Sequence, residues 1–379
     1  MGRMTIPLAP HRLPDLPGVP TEYHQLLRGP RHRWWRPLLS IVIVVASLLM
    51  VVIAISGIAA AVVVGAGGDL EEWMDSAASG RMSPSAFLST NLMLAALIPV
   101  SLFAIWVGHT VNPRWLQSVT GRFRWGWFAR CLAVLAPLWL AYLAIGTLVD
   151  GLPEGGRPKE WAALLVIMLL TTPLQCAGEE LLFRGWVMQS IGSWFAHRWV
   201  ALAVPIVVSC LTFGAAHGSS DPWIFSDLAV FAVCACLLTW RTGGLEAAIA
   251  LHMLNNMLVM GLSLVLGGFD EGFIDGDTKG SPVPVLASVA MMSIAYALVS
   301  WQARRAGIQR RSTPQVPPPP QVPLPAGQAW PAQPAGPQGA WPPAPPQQSP
   351  TWQPPGQAPG QAPGHAGGQA GGWHPPYGG

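Results

Sequence analysis

From Leu38 to Ala66 the chain carries no charged residue and is built mainly of Ile, Val, Leu and Ala. In a lipid environment every backbone N–H and C=O must find its partner within the spanning structure, so an isolated run of this kind can only be an α-helix. At ~1.5 Å per residue it crosses ~30 Å of hydrocarbon with length left over for tilt. Comparable runs occur at Ala86 to Val111, Trp127 to Val149, from near Trp161 onward, at Trp199 to Gly214, Trp223 to Trp240, Leu245 to Leu266 and Val283 to Trp301. With 51% apolar and only 10% charged residues, the composition excludes an ordinary soluble domain. The expected fold is an all-α polytopic membrane protein with about eight transmembrane helices and disordered termini.

The placement of charge orients those helices. Of the 21 Lys and Arg, only Arg81, Arg157, Lys159 and Lys279 fall in the loops that would lie outside if the N-terminus is inside, and Arg184 falls within a span. The excess of Lys and Arg on the other side predicts both termini cytoplasmic, in the plasma membrane. Three regions result: an Arg- and Pro-rich cytoplasmic arm at 1–36, an eight-helix membrane domain at 37–303, and a Pro-, Gln- and Gly-rich cytoplasmic tail at 304–379. The arm, with Arg28, Arg31, Arg33 and Arg36 ahead of the first span, does not read as a cleaved leader, so that span is expected to stay as an anchor. After Arg311 no charged residue occurs, and such a tail cannot bury enough apolar surface to fold; a partly polyproline-II coil is expected. Trp330, Trp341 and Trp352 recur in it at equal spacing, a degenerate repeat that reads as a spacer or as a ligand for a Pro-binding partner.

Several function classes drop out. Lys159 and Lys279 are the only lysines, and no basic run is interleaved with aromatics, so nucleic-acid binding is not indicated. Cys131, Cys176, Cys210, Cys234 and Cys236 lie inside apolar segments and read as small core residues. No His-Glu-x-x-His, Gly-x-Ser-x-Gly or phosphate-loop pattern occurs. A transporter could use buried carboxylates as a proton relay, but no internal repeat is found among the spans.

What remains is a set of polar groups inside apolar helices. Glu179, Glu180 and Arg184 stand in the fourth run, Phe213 and His217 at the end of the fifth, and His252 and Asn256 in the seventh. A charge at bilayer depth costs at least ~2.5 kcal/mol, which makes each of these a candidate functional group in need of a partner. On a helix Glu180 and Arg184 are i and i+4 and can pair, whereas Glu179 points about 100° away and is left for other work. His252 and Asn256 share a face by the same spacing. A carboxylate, two imidazoles and an amide are the parts needed to activate water and stabilise an oxyanion; Glu179, His217 and His252 are also possible ligands of one divalent metal such as zinc. Glu246 reads as an interface charge, and Asp227 as a residue at the membrane boundary. Asn255 is ambiguous beside Asn256, whose spacing from His252 is the better one.

These motifs resemble the CAAX protease and bacteriocin-processing family of intramembrane proteases (CPBP, or Abi) over residues ~120–265. The family's Glu-Glu-x-x-x-Arg is matched by EELLFR at 179–184, its Phe-x-x-x-His by FGAAH at 213–217, and its His-x-x-x-Asn by HMLNN from His252 to Asn256. The resemblance implies a peptidase in which Glu179 is the base that activates water, His217 helps hold that water or a metal, His252 and Asn256 line the oxyanion site, and Glu180, Arg184 and Phe213 brace the geometry. It implies membrane-associated protein or peptide substrates, and leaves both a metal-dependent and a metal-free glutamate mechanism open. The competing expectation is a non-catalytic peptide-binding scaffold or bacteriocin-immunity-type protein. For Glu179 to reach the depth of His252 and His217, the fourth helix should run past Arg184 to about Gln189, and the fifth should start late or tilt steeply.

Overall fold

The computed structural model describes residues 13–78, 83–151, 156–270, 273–274 and 278–314. The tryptophan repeat, Arg81, Glu154, Glu271, Asp275 and Asp277 lie outside the described residues. Among those residues the structure has eight helices long and apolar enough to cross a membrane: α1 (Arg36–Gly65), α2 (Pro84–His109), α3 (Trp125–Val149), α4 (Trp161–Gly192), α5 (Arg198–Ala216), α6 (Pro222–Thr242), α7 (Glu246–Leu266) and α8 (Pro282–Arg305). The all-α polytopic architecture is therefore the one the apolar runs dictate. α1 turns Val42, Leu49 and Ile53 outward, an apolar surface that suits lipid and not water.

Local chemistry sets the ends. α1, α2, α6 and α8 each carry proline in the first turn, where its missing N–H has no helical partner to lose. The Asp221 carboxylate caps α6, accepting from the N–H groups of Trp223 at 2.9 Å and Ile224 at 3.1 Å. Gly243 ends that helix in the left-handed region at φ 68°, a conformation glycine adopts without steric cost.

Two helices, α7 and α4, position the polar groups. α7 packs against α3, α4 and α6, and its first two turns, Glu246 to His252, are buried all round. Ala247, Ala248 and Ala250 supply the small side chains that such a central position requires. α4 is α-helical from Trp161 to Glu180, passes through a π-helical stretch at Leu181–Val187, and resumes as α-helix over Met188–Gly192. It thus continues past Arg184 and Gln189, as Glu179 needs in order to reach the depth of His252. A π turn holds an extra residue, and such bulges recur at functional sites. α4 meets α2 closely, because Gly178 offers no side chain where the Leu94 carbonyl approaches. Asn91 then donates from Nδ2 to Thr171 at 2.8 Å and Thr172 at 3.1 Å across the same seam. α5 begins at Arg198, earlier than the expected late start.

One end of the bundle is closed by chain segments. Residues 13–35, the described part of the arm, contain a 3-10 turn at Tyr23–Arg28. From it Arg28 donates to the Ser193 carbonyl at 2.8 Å, Gln25 to that of Phe195 at 3.1 Å, and the Tyr23 hydroxyl to that of Leu116. Residues 306–314, beyond α8, return to this end: the Ser312 N–H donates to the Thr21 carbonyl at 2.8 Å, and Arg311 lies 3.6 Å from Glu22. Arg198 donates to the same Glu22 carboxylate at 2.7 Å. The start of α7 is fastened here too. Arg124 meets the fully buried Glu246 through two side-chain bonds, at 2.8 and 2.7 Å, and its backbone N–H adds a third at 2.9 Å. Glu246, read from the sequence as an interface charge, is half of a buried bidentate clamp between α3 and α7.

Candidate active site

The polar groups of α4 and α7 meet inside the bundle. His252 lies on the inner face of α7, six residues from the Glu246 clamp and so about 9 Å along the axis. Its ring sits between the two glutamates of α4. Nδ1 is 2.9 Å from Glu180 Oε1 and Nε2 is 3.3 Å from Glu179 Oε2. Glu180 also takes Arg184 Nη1 at 2.9 Å, the i to i+4 pair expected from their spacing. All four side chains are buried. Two carboxylates face one guanidinium and one imidazole here, so each anion has a cationic or N–H-bearing partner. The picture of Glu179 as the unpartnered carboxylate is corrected: the two acids point apart along α4, but the imidazole from α7 is wide enough to touch both.

Arg184 is held from its other sides by aromatic rings. Its guanidinium carbon lies 4.3 Å from the centroid of Phe213 and 5.5 Å from that of Phe231. Those rings stack on one another at 5.8 Å, and Phe231 meets the His252 ring edge-on at 5.1 Å. Phe213, which the motif alone does not explain, is thus a wall against which both Arg184 and His252 are set.

His217 follows the last residue of α5 and stands one turn beyond Phe213, with ring centroids 4.7 Å apart. Its Nδ1 donates to the Phe213 carbonyl at 2.8 Å, which leaves Nε2 as the ring nitrogen not spent on the backbone. Among the described residues it makes no hydrogen bond or ion pair to Glu179, Glu180 or His252. The structure therefore brings Glu179, Glu180, Arg184, His252 and Asn256 into one cluster and places His217 beside it, across the Phe213 ring.

Two contributors, Gln175 and Trp139, do not stand out in the sequence, and Asn255, ambiguous there, joins them. Gln175, one turn before Glu179, donates from Nε2 to Glu179 Oε2 at 2.8 Å, and its Oε1 accepts from Asn256 Nδ2 at 3.2 Å. Asn255 donates to Asn256 Oδ1 at 3.1 Å and accepts from the indole of Trp139 on α3 at 3.4 Å. The i to i+4 spacing of Gln175 and Glu179 was available as a signal; the link from α3 was not. Asp227, set at the boundary by sequence, is a half-buried residue of α6 whose Oδ1 has no hydrogen-bond partner.

The residues named as metal ligands do not form a ligand set as arranged. Both ring nitrogens of His252 face carboxylates, and His217 Nδ1 is spent on a backbone carbonyl. Among the described residues no group of three or more His, Cys, Asp or Glu is disposed to hold a metal ion. The five cysteines are free and buried.

Comparison with known proteins adds one finding. Residues 160–258, which run from the start of α4 to the middle of α7 and contain all three polar motifs, match the family model described as type II CAAX prenyl endopeptidase Rce1-like. No curated protein and no solved structure matches the chain. The matched segment coincides with the helices that assemble the buried cluster, so over residues 160–258 the chain is similar to the CAAX protease family.

Proposed function

We propose that the protein is an intramembrane endopeptidase that hydrolyses peptide bonds of membrane-associated proteins or peptides with a water activated by Glu179. The observation that carries the reading is the state of that carboxylate: it is 6% exposed, and Oε2 is engaged by Gln175 and His252, while Oε1 makes no hydrogen bond among the described residues. A water bound at Oε1 gives its proton to Glu179 as its oxygen attacks the scissile carbonyl carbon. His217 Nε2, the nitrogen not spent on the backbone, accepts from the same water and orients it. The Asn256 amide has a second N–H beyond the one given to Gln175, and this donates to the oxyanion. Glu179 then passes its proton to the departing amine. Glu180, Arg184 and Phe213 keep His252 in place throughout.

The surroundings support a substrate class: a cluster enclosed by apolar helices suits a peptide that is itself anchored at the membrane. The family description adds prenylated CAAX-type substrates to that class. The arm and the α7 clamp gather arginine at one end of the bundle, which supports a plasma-membrane orientation with that end cytoplasmic. The test is hydrolysis of a membrane-anchored peptide by the purified full chain in liposomes, with Glu179→Gln, His252→Ala and His217→Ala alongside. Turnover by the parent and a loss of about 100-fold or more in Glu179→Gln supports the reading. Unchanged turnover in all three variants overturns it, and saturable binding by a parent that never cleaves favours the scaffold instead.

A further inference from the structure

Four side-chain bonds link Trp139 on α3 to Glu179 on α4 through α7. In order they run Trp139 Nε1 to Asn255 Oδ1 at 3.4 Å, Asn255 Nδ2 to Asn256 Oδ1 at 3.1 Å, Asn256 Nδ2 to Gln175 Oε1 at 3.2 Å, and Gln175 Nε2 to Glu179 Oε2 at 2.8 Å. The direction of this chain is not arbitrary. An indole N–H can only donate and an ionised carboxylate can only accept, so each end independently forces the orientation of the three amides between them. Every amide accepts on the side of Trp139 and donates on the side of Glu179. Bonds aligned head to tail in a low-dielectric interior polarise one another, and the polarisation accumulates on the final donor.

We propose that Gln175, Asn255 and Trp139 form a one-way amide relay that fixes the Glu179 carboxylate for catalysis, with all three acting as positioning residues. The relay, joined by His252 Nε2, occupies Oε2 and so presents Oε1 to the water. It also joins three helices: Trp139 anchors α3, the two asparagines ride on α7, and Gln175 shares a face of α4 with the base it holds. Asn256 thereby has two duties, one N–H for Gln175 and one for the oxyanion. Trp139 is 1% exposed and Gln175 5%, so neither bond competes with bulk water. Gln175 and Trp139 fall outside the three polar motifs and Asn255 fills an unspecified position of the third, and a truncated link anywhere along the chain leaves the remaining donors pointing at Glu179 with less force and less order.

The proposal rests on the hydrolytic reading, and its test separates the two. The full chain in liposomes is assayed for kcat and KM on a membrane-anchored peptide, as parent, Glu179→Gln, Gln175→Leu, Trp139→Phe and the double variant W139F/Q175L. Activity in the parent with none in Glu179→Gln establishes that the base reading holds before the relay is judged. The relay then predicts that Gln175→Leu lowers kcat about 30-fold with KM changed less than about twofold. Trp139→Phe, which keeps the ring and removes only the N–H, lowers kcat about threefold to tenfold. The double variant matches Gln175→Leu within about twofold, because a relay already cut at its last link has nothing more to lose at its first. Single effects that multiply in the double variant overturn the relay and leave two separate packing roles, as does a Trp139→Phe protein with parental kcat. If Gln175→Leu fails to fold, Asn255→Ser replaces it in the same cycle with the same non-additive outcome required.

Discussion

His252 Nδ1 stands 2.9 Å from Glu180 Oε1 while its Nε2 stands 3.3 Å from Glu179 Oε2, so one imidazole from α7 separates two adjacent carboxylates of α4. Removing it leaves Glu179 and Glu180 buried with Arg184 as their only cation. His252→Ala is expected to cost about 3 kcal/mol of stability, the usual result of stripping one partner from a buried ionic group. Turnover should fall by about 100-fold or more. His252→Gln restores one N–H donor and should recover part of the stability without the turnover. Thermal unfolding in detergent beside the liposome assay checks both; an alanine variant as stable as the parent would show that the imidazole is not what holds the acids together.

The approach of α2 to α4 depends on Gly178. A β-carbon there collides with the Leu94 carbonyl oxygen, a backbone atom that cannot rotate away. Gly178→Ala should therefore push α2 from α4 beside Glu179, destabilise by about 1–3 kcal/mol and lower kcat. Gly146, also helical but with open space around its β-position, provides the contrast: Gly146→Ala should be neutral or slightly stabilising. Equal melting temperatures for the two variants would refute the dependence on close packing at Gly178.

Acid should loosen the arm before it touches the rest of the protein. His24 is fully buried and its ring sits 3.2 Å from the Arg198 carbonyl. Burial above all holds its pKa below the usual 6.5, against opposing pulls from Glu22 and from the Arg198 carbonyl, with the Arg198 cation adding a smaller push downward. The folded value lies under the unfolded one, so the released arm binds a proton more readily than the docked arm. The arm's stability is thus level above about pH 6.5 and declines as pH falls below it, until the folded pKa is passed. Asp221 also weakens with acid, but its pKa is lowered from 3.8, chiefly by the Ile224 N–H, so its loss comes at lower pH. Amide exchange at residues 21–28, followed from pH 8 to pH 5, should rise only in the lower half of that range. In His24→Gln the rise should disappear.

The Arg124 and Glu246 clamp sets where α7 begins, and His252 hangs from that start. Glu246→Gln keeps shape but removes the charge, leaving a bidentate guanidinium with half its partner. A loss of about 2–4 kcal/mol is expected. Arg124→Lys should cost nearly as much, since an ammonium cannot reproduce the paired bonds. A double-mutant cycle reads the coupling; two losses that simply add would mean the residues act independently.

Sequence alone determined the number and type of the helices, because a long uncharged run in lipid has no other way to satisfy its backbone. It also determined the Glu180 and Arg184 pair and the continuation of α4 past Arg184, since both arise from local spacing and from the depth at which charges must meet. The three motifs marked which helices carry the buried polar groups. Tertiary structure decided the rest: that His252 touches both acids, that Phe213 is a wall for Arg184, that His217 stands across that ring, and that Gln175, Asn255 and Trp139 connect to Glu179. Periodicity records only which residues share a face of one helix. Which faces then meet depends on contacts between helices distant in the chain, such as the missing side chain at Gly178 and the clamp at Glu246, and those have no signature in the spacing of any single run.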